Sequence, residues 1–146
     1  MLSSKKESYR GYVTCREFGG LIVPVPVQSK LLRDYCISKN FTYKLHVNEN
    51  RFESSYIVLN GLLNEIDKFD GLLISSMFML PKKIQKRAEF YELVLSKNKK
   101  IHFVMEEVVL KNLSDCKEIE EVLRLHHVMP KWDEIIEALS QPDAVI

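Results

Sequence analysis

The chain has 146 residues, 46% of them hydrophobic and 28% charged, with a net charge of +1. That length and mix describe one soluble globular domain with a real core, and the balanced charge favours neither nucleic acid nor a membrane surface as a partner. The apolar runs are far too short to span a bilayer, and the first ten residues lack the apolar segment of a secretory signal.

In chain order, residues 1–7 are polar and read as a loose end. Residues 9–15 form a first strand. The chain then breaks at Gly19-Gly20 and passes through Pro24 and Pro26, a connection longer than the usual two to six residues and therefore a candidate functional loop. A helix follows over residues 28–40, with Leu31, Leu32, Tyr35 and Cys36 on one face and Asn40 as its stop. Residues 41–47 alternate Phe41, Tyr43, Leu45 and Val47 with polar neighbours, the pattern of an outer strand with one face less buried.

A second helix is expected over residues 55–69. Residues 71–76 (GLLISS) then form a continuously apolar strand, as for a central parallel strand covered on both faces. Pro81 marks the start of a third helix over residues 82–96, with Ile84, Ala88, Tyr91 and Leu95 inward. Residues 101–105 form the fourth strand, followed by Glu106-Glu107. Two further amphipathic helices follow, over residues 115–126 and from Pro130 onward, the latter with Trp132, Ile135, Ile136 and Leu139 as its stripe.

Strand alternating with helix predicts a parallel sheet with right-handed crossovers. The expected fold is a three-layer α/β domain of flavodoxin-like or resolvase-like layout, strand order 2-1-3-4, comprising a core over residues 1–110 and a C-terminal helical extension over residues 111–146. The extension is expected to cover the sheet or to mediate a homodimer.

In such a sheet the carboxyl ends of the strands form one edge, with neighbours about 4.8 Å apart, and ligands sit at its switch point. The residues that follow the strands therefore define a candidate site. Arg16 offers a bidentate contact to carboxylate or phosphate, with Arg10 upstream on the same stretch. Gly19 and Gly20 let backbone N–H groups approach a ligand, and Gln28 joins them near a helix N-terminus. Asn48 and Asn50 carry the donors and acceptors that recognise sugar hydroxyls. Glu49, or one of Glu106 and Glu107, supplies an acid or base when desolvated. Ser75 and Ser76 end the third strand, and Cys15 is a candidate nucleophile. Each has a plainer reading: turn chemistry for Asn48–Asn50 and Gly19-Gly20, a surface charge for Arg16, a helix cap for the serines, a solvated pair for the glutamates.

His102 and His46 read as satisfied strand histidines, and His126-His127 as cations favoured by a helix C-terminus. No spacing suits a metal, and no nucleotide, dinucleotide or hydrolase motif occurs, so no metal and no cofactor is expected. Cys15, Cys36 and Cys116 are odd in number and lack a CxxC, which predicts reduced thiols in a cytoplasm.

The blocks RGYVTCREFGGLIVPVPVQ, YKLHVNEN, SYIVLNGLLNEID and ISSMFMLPKK resemble the sporadic carbohydrate cluster protein family, small bacterial proteins found among genes for surface polysaccharide synthesis. The resemblance covers residues 9–110. It implies a cytoplasmic bacterial protein serving surface sugar production, with a sugar or nucleotide sugar as its small-molecule partner, and it names no reaction. The Gly11-Tyr12 strand, the Gln that opens the first helix and the strand–loop–helix near residues 74–83 also resemble the catalytic domain of serine recombinases. That family needs a serine nucleophile beside an arginine just after Gly-Tyr, where this chain has Val13, Thr14, Cys15 and Arg16. Its later arginine-rich motif is replaced by Phe78, Met79, Leu80, Pro81 and Lys82. DNA strand exchange, and nucleic acid as a partner, are therefore not expected. The readings carried forward are a sugar-modifying enzyme, a non-catalytic partner of a biosynthetic enzyme, and a degenerate recombinase-like DNA binder.

Overall fold

Five strands form one sheet in the order β2-β1-β3-β4-β5. The computed structural model describes residues 5–128 and 132–140. The strands are β1 (Ser8–Thr14), β2 (Thr42–Glu49), β3 (Gly71–Ile74), β4 (Lys100–Phe103) and β5 (Val108–Leu110). The first four run parallel, and β5 returns antiparallel to β4. The expected order 2-1-3-4 holds. The fifth strand extends it as a hairpin, turned through Glu107, whose φ is +56°.

The helices are α1 (Val25–Lys39), α2 (Ile57–Asn64), α3 (Ile84–Ser96), α4 (Leu113–Val128) and α5 (Trp132–Ser140). α1 begins three residues earlier than its expected start, because Pro26 is tolerated in a first turn where its missing N–H is not needed. It ends at Asn40, whose left-handed φ of 59° lets its N–H reach the carbonyls of Cys36 and Ile37. α2 is shorter than expected and gives way to a 3₁₀ turn, Ile66–Lys68.

Side chains alternate across the sheet and divide the core in two. Tyr9, Val13, Leu73 and Val104 pack with Leu32 and Cys36 of α1. Tyr12, Leu72, Ile74, Ile101 and Phe103 lie on the other face with Leu59 and Leu62 of α2, Phe90 and Val94 of α3, and Cys116 and Ile119 of α4. α4 thus completes the main core.

Two expected faces shift. In β2 a bulge opens between the partners of Arg10 and Tyr12. It breaks the period-two alternation and turns Leu45 out to 62% exposure. In α3 the buried positions are Phe90, Tyr91 and Val94, and Ile84 is left exposed at the first turn. Pro130 and the side chain of Trp132 lie outside the described residues. Among the described residues no helix is long and apolar enough to cross a membrane.

Candidate functional site

Cys15, Arg16, Asn48–Asn50, Ser75-Ser76 and Glu106 do gather at the carboxyl edge of the sheet, where the parallel register brings the ends of β1, β2 and β3 side by side. Most of their polar atoms are already committed within the chain.

Glu49 is buried. Its Oε1 accepts from the Tyr12 hydroxyl at 2.8 Å and from Leu59 N at 3.1 Å, and its Oε2 accepts from Val58 N at 3.1 Å and Asn50 N at 3.2 Å. Val58 and Leu59 are the second and third residues of α2, so this carboxylate fills the place of an N-cap that Tyr56 does not fill. Burial, then the neighbouring Glu49 charge, pushes the Tyr12 phenol far above its ordinary range. An acid or base role would have to break this cap.

Gln28 is fully buried. Its Nε2 donates to Thr14 O (2.6 Å) and Val23 O (2.8 Å), and its Oε1 accepts from Thr14 N (3.2 Å) and Ser75 Oγ (2.8 Å). One amide therefore joins the end of β1, the loop after it and the end of β3, with its four hydrogen-bonding positions used. Ser76 Oγ donates to Glu106 Oε2 at 2.6 Å, and Met77 N donates to Glu106 Oε1 at 2.8 Å. Ser76 also accepts from Phe78 N and caps the 3₁₀ turn Met77–Met79.

The loops are stitched likewise. Arg16 donates from Nη1 to Phe52 O (2.6 Å) and Ser55 O (2.9 Å), and its guanidinium lies 5.0 Å from the Tyr56 ring centre. Asn50 accepts from Phe52 N and donates to Ser55 Oγ, a side-chain turn. Gly19 and Gly20, with φ of +57° and +82°, turn the chain between Phe18 and Leu21, whose backbones exchange two hydrogen bonds of 2.9 Å. A Cβ on Gly19 would also lie 2.9 Å from the Phe78 ring. Phe78 in turn stacks on His126 of α4 at 4.4 Å.

Arg10 does not join this group. It pairs with Leu72 early in β3, and its guanidinium lies over Phe69, 5.9 Å from the ring centre. It sits too early in β1 to reach the rim. Cys15 and Asn48 are exposed there. Two surface cavities lie elsewhere. One, of about 210 Å³, is at the amino edge beside Ser8, Phe69 and Lys99; the other, of about 420 Å³, lies along α4 at Lys117 and Val122. Among the described residues no three His, Cys, Asp or Glu side chains assemble as a metal set.

The sequence reading missed the partners of these groups. It also missed Arg87, which donates to Glu120 through Nε (2.8 Å) and Nη2 (2.7 Å) while Nη1 reaches Pro81 O and Lys82 O. The lysines that flank α3 fall into two groups. Lys82, Lys83 and Lys86 stand at the rim end of α3. At its other end, near the amino edge, Lys97 and Lys100 pair with Asp67 and Glu7 and Lys99 meets Phe69 O.

No family model and no curated protein matches this sequence. The fold is similar to that of the N-terminal catalytic domain of TP901-1 integrase, a serine recombinase, with a TM-score of 0.60 and 12% identity over 90% of this chain and 99% of that one. At that identity the likeness is one of fold. Thr14, the last residue of β1, is buried here, and its Oγ1 accepts from Arg16 N at 3.1 Å.

Proposed function

We propose that this protein serves bacterial surface carbohydrate biosynthesis in the cytoplasm as a non-catalytic partner that binds and positions a biosynthetic enzyme. The observation that carries the non-catalytic reading is the closed hydrogen bonding of Glu49, Gln28, Ser75, Ser76 and Glu106: the groups best suited to chemistry hold the loops instead. The carbohydrate context rests on the separated sequence blocks that resemble the sporadic carbohydrate cluster family. The docking surface on this reading is the C-terminal helix pair, where Val122, Leu125, Ile136 and Leu139 are exposed. Three free cysteines suit a reducing compartment.

The test is an Ile136→Ser/Leu139→Ser double variant in cells. It is expected to lose surface glycan and, in a pull-down, the biosynthetic enzyme, while its melting temperature is unchanged. Wild-type glycan would overturn the reading. Sedimentation separates the competing outcome, a homodimer through the same helices.

An enzyme acting on a sugar or nucleotide sugar is the second reading, favoured by Cys15 and Asn48, which remain exposed at the rim. It predicts that Cys15→Ser or Asn48→Ala abolishes the glycan with the fold intact; the partner reading predicts no effect.

A further inference from the structure

The net charge of +1 conceals a local asymmetry at the carboxyl edge. Three loops meet there, over residues 15–23, 50–57 and 77–84. Arg16 ties the first to the second through Phe52 O and Ser55 O, the Tyr56 phenol lies beside the main chain of Lys82, and Gly19 packs on Phe78. The loops are thus one preorganised surface. From it project Ile22 (74% exposed), Phe52 (76%), Ile57 (73%) and Ile84 (70%). Among these stand four cations, Arg16, Arg51, Lys82 and Lys83, against two carboxylates, Glu17 and Glu53. Two other carboxylates of this edge are bound within the chain, Glu106 to Ser76 and Met77 and Glu49 to Tyr12, Val58 and Leu59, and Glu107 is exposed in the turn after β4.

We infer that this crown docks the protein on an anionic lipid surface, with Ile22, Phe52, Ile57 and Ile84 entering the interface and Lys82, Lys83 and Arg51 meeting the headgroups. Large apolar side chains set singly among cations match the two requirements of interfacial binding, buried apolar area and attraction to anionic lipid. A protein interface is the poorer match, since its centre is depleted in lysine. Duplex DNA is poorer still, because four hydrophobic side chains would face a phosphate lattice. The inference does not depend on the C-terminal helices, and the two surfaces together would hold a soluble enzyme beside a membrane.

The experiment is co-sedimentation of the full chain with vesicles of phosphatidylglycerol and phosphatidylcholine, against pure phosphatidylcholine vesicles and a labelled DNA duplex. Binding is expected to the anionic vesicles alone and to fall steeply between about 0.1 and 0.5 M salt. Phe52→Ser is expected to weaken partitioning about tenfold, as is Lys82→Glu/Lys83→Glu. These side chains are exposed, so melting temperatures stay at the wild-type value. Ile136→Ser/Leu139→Ser should bind vesicles normally, so loss of the partner reading leaves this result standing. Absence of vesicle binding, equal binding to neutral vesicles, unchanged partitioning of both rim variants, or binding to the duplex alone would overturn it.

Discussion

The Tyr12 hydroxyl donates to Glu49 Oε1 at 2.8 Å across the interior of the sheet edge, joining the middle of β1 to the last residue of β2. The same carboxylate then receives two backbone N–H groups of α2. Glu49→Ala would leave a buried phenol and two helix donors without acceptors. The expected cost is about 3 kcal/mol, as for hydrogen bonds to a charged acceptor whose partners stay buried. Glu49→Gln keeps one acceptor oxygen and should lose less. Urea unfolding of the two variants checks the order; equal, negligible losses would refute the capping role.

Gln28 supports a second prediction. Replacing it with Leu removes a group that bridges Thr14, Val23 and Ser75, leaving buried main-chain groups and a hydroxyl unpaired. A loss of about 2–4 kcal/mol is expected. Amide exchange should accelerate most over residues 14–23, because those backbone groups depend on the Gln28 side chain rather than on the sheet ladder. Uniform acceleration across the sheet would argue against this local role.

These two residues show which parts of the structure were legible in the sequence. The parallel sheet could be read because its strands differ in burial. GLLI of β3 is apolar throughout and fully buried, whereas the sequence of β2 alternates apolar with polar residues and the strand lies at the sheet's edge. β5 could not be read, since three residues after a turn with positive φ at Glu107 carry no periodicity. The Leu45 prediction failed because a bulge is set by pairing with β1, not by the residues of β2. Position at the rim was legible for Glu49, Gln28 and Ser75, but what they bond to was not. Glu49 caps a helix that starts eight residues later, Gln28 reaches 47 residues ahead to Ser75, and no local spacing encodes such partners.

Arg87 gives a third prediction. It joins α3 to α4 through a bidentate pair with Glu120, shared by the Tyr91 hydroxyl at 2.6 Å, and it also holds the Pro81 and Lys82 carbonyls at the rim. Arg87→Leu should destabilise by roughly 2 kcal/mol, a value reduced for the partial exposure of Glu120. The Arg87 hydrogen bonds hold the Glu120 carboxyl below its ordinary range. This contribution is therefore fully present above that range and is lost as pH falls through the depressed value. In Arg87→Leu that acid-side loss should disappear; its persistence would assign the pH response elsewhere.

His102 gives the fourth. Its ring lies within an aromatic cluster, 4.8 Å from Tyr9, 5.4 Å from Tyr35 and 5.2 Å from Phe41, and its Nδ1 shares a 2.6 Å hydrogen bond with the Tyr35 hydroxyl. Among the described residues Nε2 is buried without a partner, so a second proton there would have no acceptor. Burial lowers the pKa from 6.5 to about 4; Lys100, Lys39 and Lys111 add to the effect and Glu7 opposes it. Between those values the unfolded chain binds a proton that the folded chain does not. Stability should therefore be insensitive to this group above pH 6.5 and fall as pH drops from 6.5 to about 4, at up to about 1.4 kcal/mol per pH unit. Urea midpoints measured across that interval test the slope, with His102→Phe as the comparison. Phenylalanine keeps the ring contacts but cannot titrate, so the variant should be less stable at pH 7, where the Tyr35 bond is lost, yet show a flatter profile toward pH 4. Parallel profiles for the two proteins would show that His102 is not the group that titrates.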